Sequence, residues 1–255
     1  ENPEYLGTKH KQFPILIKFI DADKDLSVQV HPDDEYAKKE NDNGKTEMWY
    51  VLDATKDAKL VYGFNRDCSQ DEVREAIKDG NLLKKLQIVD VKKNDVFFIE
   101  PGTVHAIGAG ALIAEIQESS NLTYRLYDYD RIDKQGKKRK LHIEKALEIA
   151  NLHSSSKPRQ PMRVLKYGNG VARELLTRCR YFEVYRMLLN TERRQKVEYR
   201  SDSLSFRVLL CIAGCGVLSF ADESMLFFRG DCFFIPADSY PIHLYGNAQF
   251  LDVRG

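Results

Sequence analysis

The segment "DLSVQVHPDD", residues 25 to 34, places three polar side chains in a run that is otherwise apolar. Side chains alternate faces along a β-strand, so Ser27, Gln29 and His31 point one way while the apolar residues between them point the other. An imidazole and an amide oxygen can bind a metal ion. A strand at the rim of a β-barrel whose polar face meets water would show the same alternation, so this pattern alone leaves both interpretations open.

Two further metal-capable side chains fall at strand boundaries in the first half of the chain. Glu47 begins the apolar run "EMWYVLDA", and His105 follows "EPGTV", whose Pro-Gly pair favours a type II turn. Two histidines, a glutamate and a glutamine amide oxygen that converge from three neighbouring strands would suit zinc or a similar divalent metal. The spacing is scattered, so structural histidines remain the alternative.

The elements that must position these residues are short strands. Runs rich in β-branched and aromatic residues recur between turn signals, among them "FPILIKFI", "AKLVYGF", "DVFFIEPG" and "ALIAEIQ". Such spacing is typical of an all-β sandwich or barrel. Helical patterns are few: "SQDEVREAIKDG" begins with a capping box of Ser69 and Glu72, and "HIEKALEIANL" has one apolar stripe. We therefore predict a mainly β protein with a few short helices packed on the β core.

A domain boundary is predicted at "HSSSKPRQPM", residues 153 to 162, which is polar and carries two prolines. Beyond it, "LFFRGDCFFIPADSYPIHL" repeats features of "VKKNDVFFIEPGTVHAI" and favours a duplicated β-barrel. We predict a first domain over residues 1–152, a linker over 153–175 and a second domain over 176–255. The second domain holds His243 as its one metal-capable histidine, so we expect it to bind no metal and to be structural.

Composition excludes several classes of function. The chain has 255 residues, and its 39 basic side chains nearly balance 38 acidic ones, which argues against a nucleic acid or a membrane surface as the main partner. Five irregularly spaced cysteines fit neither a disulfide framework nor a zinc finger, so we expect a cytoplasmic protein. The basic run over residues 134–140 lacks interleaved aromatic residues and favours a solvated hairpin loop with Gly136 at its tip over a phosphate or nucleic-acid site.

Five segments occur in a recognisable order: "LIKFIDADKDLSVQVHPDD", "GKTEMWYVLDA", "FFIEPGTVHAIGAG", "EIQESSNLTYRLYDYDR" and "LHIEKALE". With them, residues 12 to 150 resemble the type I mannose-6-phosphate isomerases, particularly the short bacterial form, and the rest of the chain resembles them more loosely. The resemblance implies a double cupin, two jelly-roll β-barrels, with one Zn²⁺ per chain. It also implies interconversion of mannose 6-phosphate and fructose 6-phosphate through an enediol. By this resemblance the metal ligands are Gln29, His31, Glu47 and His105.

The resemblance also implies catalytic residues. Moving a proton between two sugar carbons requires an acid/base group and a cation that stabilises the enediolate. Arg125 matches the family's catalytic arginine, and Lys45, two residues before Glu47, matches its functional lysine. The alternative for Lys45 is a solvent-facing lysine in a Gly-Lys-Thr loop. Glu115 lies where the family uses an acidic residue, and the alternative is a buried partner of Arg125.

Substrate-binding residues are implied as well, for a small sugar phosphate. Ser27 shares the face of the predicted ligands, and Asn121 lies at the spacing of a polar pocket residue, although some members have aspartate there. Arg131 lies six residues beyond Arg125, where the family places a basic residue, and the alternative is a salt bridge with Asp128 or Asp130. A homodimer is left open.

Other expectations follow from how the chain departs from the family. Family members carry several strands before "FPILIKF" that are missing here, so we expect an open sheet edge or a shifted strand pairing. Two other functions also remain open. A non-haem iron oxygenase uses two histidines and a carboxylate on a jelly roll, but Gln29 and Lys45 argue against it. A cupin could also bind sugar without turnover.

Overall fold

The structure is a computed structural model that describes residues 3–132, 135–156, 158, 160–193 and 195–255. The predicted hairpin loop at 134–140 and the predicted linker therefore fall partly outside the described residues. The chain divides into two compact units, Leu16–Gln160 on the one hand and Glu1–Ile15 with Pro161–Gly255 on the other. The domain boundaries expected from the sequence stay a prediction, and each unit is described here by itself.

Among the described residues, strands dominate the secondary structure, as predicted, and three short α-helices join them. The strands of the first half are β1 Ile15–Asp21, β2 Val28–Val30, β3 Glu47–Ala54, β4 Lys59–Phe64, β5 Leu86–Asp90, β6 Val96–Ile99, β7 His105–Ile107, β8 Ala111–Glu118 and β9 Tyr124–Tyr127. Those of the second half are β10 Lys166–Gly168, β11 Val171–Arg178, β12 Glu183–Asn190, β13 Val197–Tyr199, β14 Arg207–Phe220, β15 Glu223–Phe228, β16 Cys232–Ile235 and β17 Ile242–Arg254. The helices are α1 Asp34–Ala37, α2 Gln70–Lys78 and α3 Ile143–Ile149, with 3-10 turns at Pro3–Leu6, Lys38–Glu40 and Leu82–Lys85.

Two sheets build the unit Leu16–Gln160. One has the strand order β1-β8-β3-β6 and the other the order β5-β4-β7-β2-β9. Their facing sides share an apolar core in which Trp49, Phe97 and Ile113 of the first sheet pack with Leu60 and Ile107 of the second. Burial of such large apolar side chains supplies the main driving force that holds the sheets together.

Helices α2 and α3 cover the outer side of the second sheet. Val73 of α2 and Leu147 of α3 belong to one buried cluster with Val28 and Val30 of β2. The predicted capping box of α2 is confirmed, because Ser69 Oγ accepts from the backbone N–H of Glu72 and the Glu72 carboxylate accepts from that of Ser69. The valines of β2 therefore face the helices, which leaves the intervening Gln29 on the opposite face, toward the first sheet.

The other unit is built on one eight-stranded sheet, in which the long strands β14 and β17 pair along most of their length. Its core contains Phe227, Phe250, Leu209 and Leu244. His243 lies on β17, and its Nε2 atom is 4.0 Å from a carboxylate oxygen of Glu198. In the described part of the chain, no helix is both long and apolar enough to cross a membrane.

Candidate metal centre and active site

The predicted ligands meet between the two sheets of the unit Leu16–Gln160. In the second sheet, Gln29 of β2 is paired with His105 on β7 and with Arg125 on β9. Glu47 is the first residue of β3 in the first sheet, and His31 directly follows β2. Strand pairing thus places residues that are up to 96 positions apart in the sequence side by side.

A tight turn sets the position of His105. Pro101 and Gly102 are its central residues, and the backbone N–H of Thr103 donates to the carbonyl of Glu100 at 3.0 Å. Gly102 has φ +85°, which is the value that a type II turn requires at this position and that favours glycine. The N–H of Gly102 donates to the carbonyl of His31 at 2.9 Å, so the turn also holds the strand end that carries the other histidine.

The side chains of His31, Glu47 and His105 form a compact cluster whose donor atoms all lie within 4.8 Å of one another. Glu47 Oε1 is 3.3 Å from His105 Nε2, and Glu47 Oε2 is 3.6 Å from His31 Nε2. Two atoms that each lie about 2.1 Å from one ion in tetrahedral geometry are about 3.4 Å apart. The spacing of these pairs therefore suits a shared divalent ion.

Hydrogen bonds fix which nitrogen of each histidine faces the cluster. Nδ1 of His31 lies 2.8 Å from the carbonyl oxygen of Leu122, and Nδ1 of His105 lies 2.8 Å from that of Thr103. A carbonyl only accepts, so each Nδ1 carries the proton and each Nε2 presents a lone pair to Glu47. This is the arrangement of metal-binding histidines, whose second nitrogen is held by a carbonyl or carboxylate.

Burial leaves the cluster with polar atoms that lack partners. The side chains of His31, Glu47 and His105 are at most 1% exposed. Within the described residues, His31 Nε2 and both oxygens of Glu47 have no hydrogen-bond partner. Buried polar atoms without partners are rare and costly, so each requires an explanation. A bound cation would satisfy all three of them.

The pKa values in the cluster reflect its burial. Desolvation raises the pKa of Glu47 to about 8 and lowers that of His105 to about 4, and it also holds the pKa of His31 well below its usual value. A cation in this space would offset the cost of burying the glutamate charge, while neutral imidazoles leave both Nε2 atoms free to bind it.

Gln29 lies at the side of this cluster. Its Nε2 atom is 3.5 Å from Nε2 of His105, and its Oε1 atom accepts from the hydroxyl of Ser27 at 3.4 Å. The amide thus presents its nitrogen to the cluster, whereas a metal ligand would present its oxygen. Gln29 is in place to be a fourth donor, but its side chain would have to turn over to bind an ion.

A cavity of about 240 Å³ adjoins the cluster. Four of the side chains that line it are basic and one is acidic, so its charge favours an anion over a neutral or positively charged ligand. These charged residues are Lys18, Lys45, Arg125, Arg139 and Glu115, and the other lining residues include Ser27, Gln29, Trp49, His105 and Thr123.

Lys45 and Glu115 are buried in this cavity wall, each 5% exposed. The ammonium group of Lys45 lies 4.0 Å from Glu47 Oε2, and burial lowers the pKa of Lys45 although the charge of Glu47 opposes that change. Glu115 accepts from Lys18 Nζ at 2.9 Å and from Trp49 Nε1 at 3.1 Å. Both of its oxygens therefore already have partners, and neither of these partners is Arg125.

Arg125 is the third predicted catalytic residue that reaches the cavity. It lies on β9 next to Gln29 of β2. Its Nε atom is buried and has no hydrogen-bond partner among the described residues. A guanidinium donor that is held in a cavity wall with no internal acceptor is available to an oxygen of a bound molecule.

Two predicted substrate-binding residues lie elsewhere. Asn121 is exposed in the loop before β9 and is not among the cavity-lining residues of the described chain. Arg131 also lies outside the lining, bonded to Asp128 and to the carbonyl of Asp25. The structure therefore brings together Ser27, the four predicted ligands and the three predicted catalytic residues, but not these two. Their roles in binding substrate stay predictions.

Two basic residues of the cavity, Lys18 and Arg139, were not identified from the sequence. Lys18 lies in the run "FPILIKFI", where alternation would place it on the polar face, but nothing in the sequence shows that β1 pairs with β8. Arg139 belongs to the run that was expected to be a solvated loop. The one feature of the sequence that could have identified Arg139 was its charge. A guanidinium on a loop is long enough to reach a neighbouring strand.

Comparison with known proteins places these features in a family. The chain matches the family model "Phosphomannose isomerase type I, catalytic domain" over residues 1–77 and the model "Mannose-6-phosphate isomerase, cupin domain" over residues 172–254. The probable mannose-6-phosphate isomerase GmuF of Bacillus subtilis is 42% identical over 191 residues, which cover 73% of this chain and 59% of that protein. The chain thus aligns with less than two thirds of the length of GmuF.

Two further comparisons cover nearly the whole chain. Mannose-6-phosphate isomerase ManA of Bacillus subtilis is 38% identical over 243 residues, which cover 93% of this chain and 74% of that protein. The crystal structure of the mannose 6-phosphate isomerase from Bacillus subtilis superimposes with a TM-score of 0.88 at 32% identity, covering 98% of this chain and 78% of the other.

Proposed function

Because the chain belongs to the type I mannose-6-phosphate isomerases, a family of cupin-fold enzymes, we propose that it interconverts mannose 6-phosphate and fructose 6-phosphate with one bound zinc ion. The family and fold class expected from the sequence are confirmed. The observation that carries the proposal is the buried cluster of His31, Glu47 and His105 beside a cavity lined mainly by basic side chains.

His31, Glu47 and His105 would hold the ion, with Gln29 as a fourth donor. Imidazole nitrogens and a carboxylate are donors that suit zinc, and no thiolate is needed. The partnerless Glu47 oxygens and His31 Nε2 support this assignment. When bound, such an ion supplies positive charge that polarises the oxygens of the sugar.

The reaction moves protons only. A proton leaves C2 of mannose 6-phosphate and is returned to C1, while the hydroxyl proton on O2 is lost and O1 gains one, through an enediol. We assign the proton transfer to Lys45, which is buried in the cavity wall. Arg125 would stabilise the negative charge that develops on the enediolate oxygens, since its Nε donor has no internal acceptor.

Glu115 supports this arrangement from its bonds to Lys18 and Trp49. Its charge is paired with Lys18, so it would hold the ammonium group of Lys18 at the cavity. It would also hold the indole of Trp49, whose ring centroid lies 5.4 Å from that of His105. The surplus of basic side chains in the lining explains why the substrate would be an anionic sugar rather than a neutral one.

Solvent exchange tests this proposal. The zinc-loaded protein is incubated with mannose 6-phosphate in D₂O, and fructose 6-phosphate and its deuterium content at C1 are followed by NMR. We expect product that carries deuterium from the solvent, and we expect Lys45→Met to lower turnover by at least about 100-fold, the lower range for a general acid/base. Lys59→Met is the matched control, because Lys59 is an exposed lysine of β4. A folded, zinc-loaded protein that forms no fructose 6-phosphate would refute the proposal.

A further inference from the structure

Arg139 is a basic residue of the cavity lining to which the resemblance assigns no role. Its side chain is 47% exposed, whereas those of the three clustered ligands are at most 1% exposed. Of the cluster, His105 lines the cavity, so the cluster adjoins its buried side while Arg139 lies at its solvent-exposed side. The reacting carbons of a hexose 6-phosphate are C1 and C2, so with these carbons at the cluster the phosphate on C6 lies toward the solvent-exposed side.

Asp128 fixes the orientation of Arg139. Arg139 Nε donates to Asp128 Oδ2 at 2.7 Å, and Arg139 Nη2 donates to Asp128 Oδ1. Asp128 is itself only 5% exposed. A two-point contact of this kind holds the plane of the guanidinium. It also leaves Nη1 of Arg139 without a hydrogen bond in the described part of the chain.

Arg131 also donates to Asp128, and its other side-chain nitrogens have acceptors as well. Its Nη2 donates to Asp128 Oδ1, its Nε donates to the backbone carbonyl of Asp128 at 3.1 Å, and its Nη1 donates to the carbonyl of Asp25 at 2.7 Å. All three nitrogens of Arg131 are engaged, and the residue does not line the cavity. Its side-chain donors are therefore committed to Asp128 and Asp25.

We propose that Arg139, oriented by Asp128, binds the phosphate group of the substrate, and that Arg131 holds Asp128 in place. The proposal rests on the proposed function in one respect, that the ligand is a sugar phosphate. A guanidinium is suited to this task because its planar donors match the oxygens of a phosphate monoester. Phosphate is bound alike in the ground state and the transition state, so Arg139 contributes to affinity and not to the chemical step.

Steady-state kinetics with two matched variants, Arg139→Gln and Arg131→Gln, test the proposal. We expect Arg139→Gln to raise KM for mannose 6-phosphate at least about tenfold, as the loss of a hydrogen bond between charged groups implies, with kcat changed less than about threefold. Arg131→Gln should raise KM much less. An unchanged KM in Arg139→Gln, or an equal rise in Arg131→Gln, overturns the assignment. Thermal unfolding of each variant checks that it is folded.

A binding measurement keeps this test independent of the isomerase activity. Glycerol 3-phosphate is a phosphate monoester without a carbonyl group, and its affinity for the zinc-loaded protein can be measured by calorimetry. We expect binding that Arg139→Gln weakens at least about tenfold and Arg131→Gln weakens less. Should the protein lack isomerase activity but show this pattern, the proposed function fails and the phosphate site stands. Equal affinity in the wild type and Arg139→Gln contradicts the phosphate site whatever the activity.

Discussion

The Nε2 atom of His105 lies 3.3 Å from the Oε1 atom of Glu47, although the two residues belong to opposite sheets of one unit. His105 begins β7 of the five-stranded sheet, and Glu47 begins β3 of the four-stranded sheet. An ion held by both would link the two sheets directly. Metal binding should therefore be coupled to the stability of this unit.

We predict that zinc raises the unfolding temperature of the wild type but not of Glu47→Gln. The substitution keeps the shape of the side chain and removes the charge that the ion would neutralise. Zinc at 100 times its dissociation constant should stabilise the wild type by about 2.7 kcal/mol. Differential scanning calorimetry with and without zinc measures this effect. Glu100→Gln, at an exposed glutamate outside the cluster, should respond like the wild type, and an equal response of Glu47→Gln would contradict the ligand assignment.

We predict that Arg125→Ala lowers kcat far more than it weakens substrate binding. If the guanidinium meets charge that grows only as the enediolate forms, its loss should cost about 100-fold to 1,000-fold in turnover, roughly 2.7 to 4 kcal/mol. Arg125→Lys should recover little, because an ammonium group lacks the planar pair of donors. Steady-state kinetics with mannose 6-phosphate provide the measurement. Near-normal turnover with a raised KM would show that Arg125 is a binding residue.

We predict that Asp128 contributes to acid stability. Burial by itself would raise the pKa of this carboxyl, but hydrogen bonds from Arg139 and Arg131 hold it below its usual value. A lowered folded-state pKa gives stability that is present above the unfolded value near pH 4 and is lost as the pH falls through the folded value. In urea titrations, Asp128→Asn should therefore lose less stability than the wild type on acidification below about pH 4.

The control for this prediction is Asp130→Asn, because Asp130 is exposed and pairs only with Lys138 among the described residues. Its stability should follow the wild-type pH profile. At pH 7, Asp128→Asn should also be less stable than the wild type by about 2 kcal/mol, the scale of a hydrogen bond to a charged group. Identical acid profiles for Asp128→Asn and the wild type would mean that the paired carboxylate contributes nothing to the fold.

Local patterns in the sequence predicted much of what builds the site. Period-two alternation identified the face that carries Gln29 and His31, and the Pro101–Gly102 turn placed His105 at the start of a strand. The capping box of α2 was predicted for the same reason, since a cap involves residues only three apart. These features depend on backbone geometry within a few residues, which the residue types themselves encode.

Long-range geometry could not be predicted in this way. The pairing of Arg139 with Asp128 and the reach of Lys18 to Glu115 depend on which strands become neighbours. The order β1-β8-β3-β6 does not follow the chain, and it is fixed by packing over the whole unit. From the sequence, Arg131 could likewise bind either a phosphate or Asp128. Only the tertiary structure shows the bond to Asp128.

A coupled assay for fructose 6-phosphate, run before and after removal of the metal, tests most directly whether this chain is a metal-dependent mannose-6-phosphate isomerase. We expect the zinc-loaded protein to form fructose 6-phosphate from mannose 6-phosphate. Dialysis against a chelator should abolish this activity, and added zinc should restore it. Undiminished turnover in a chelated protein whose zinc content is shown to be zero would contradict the claim.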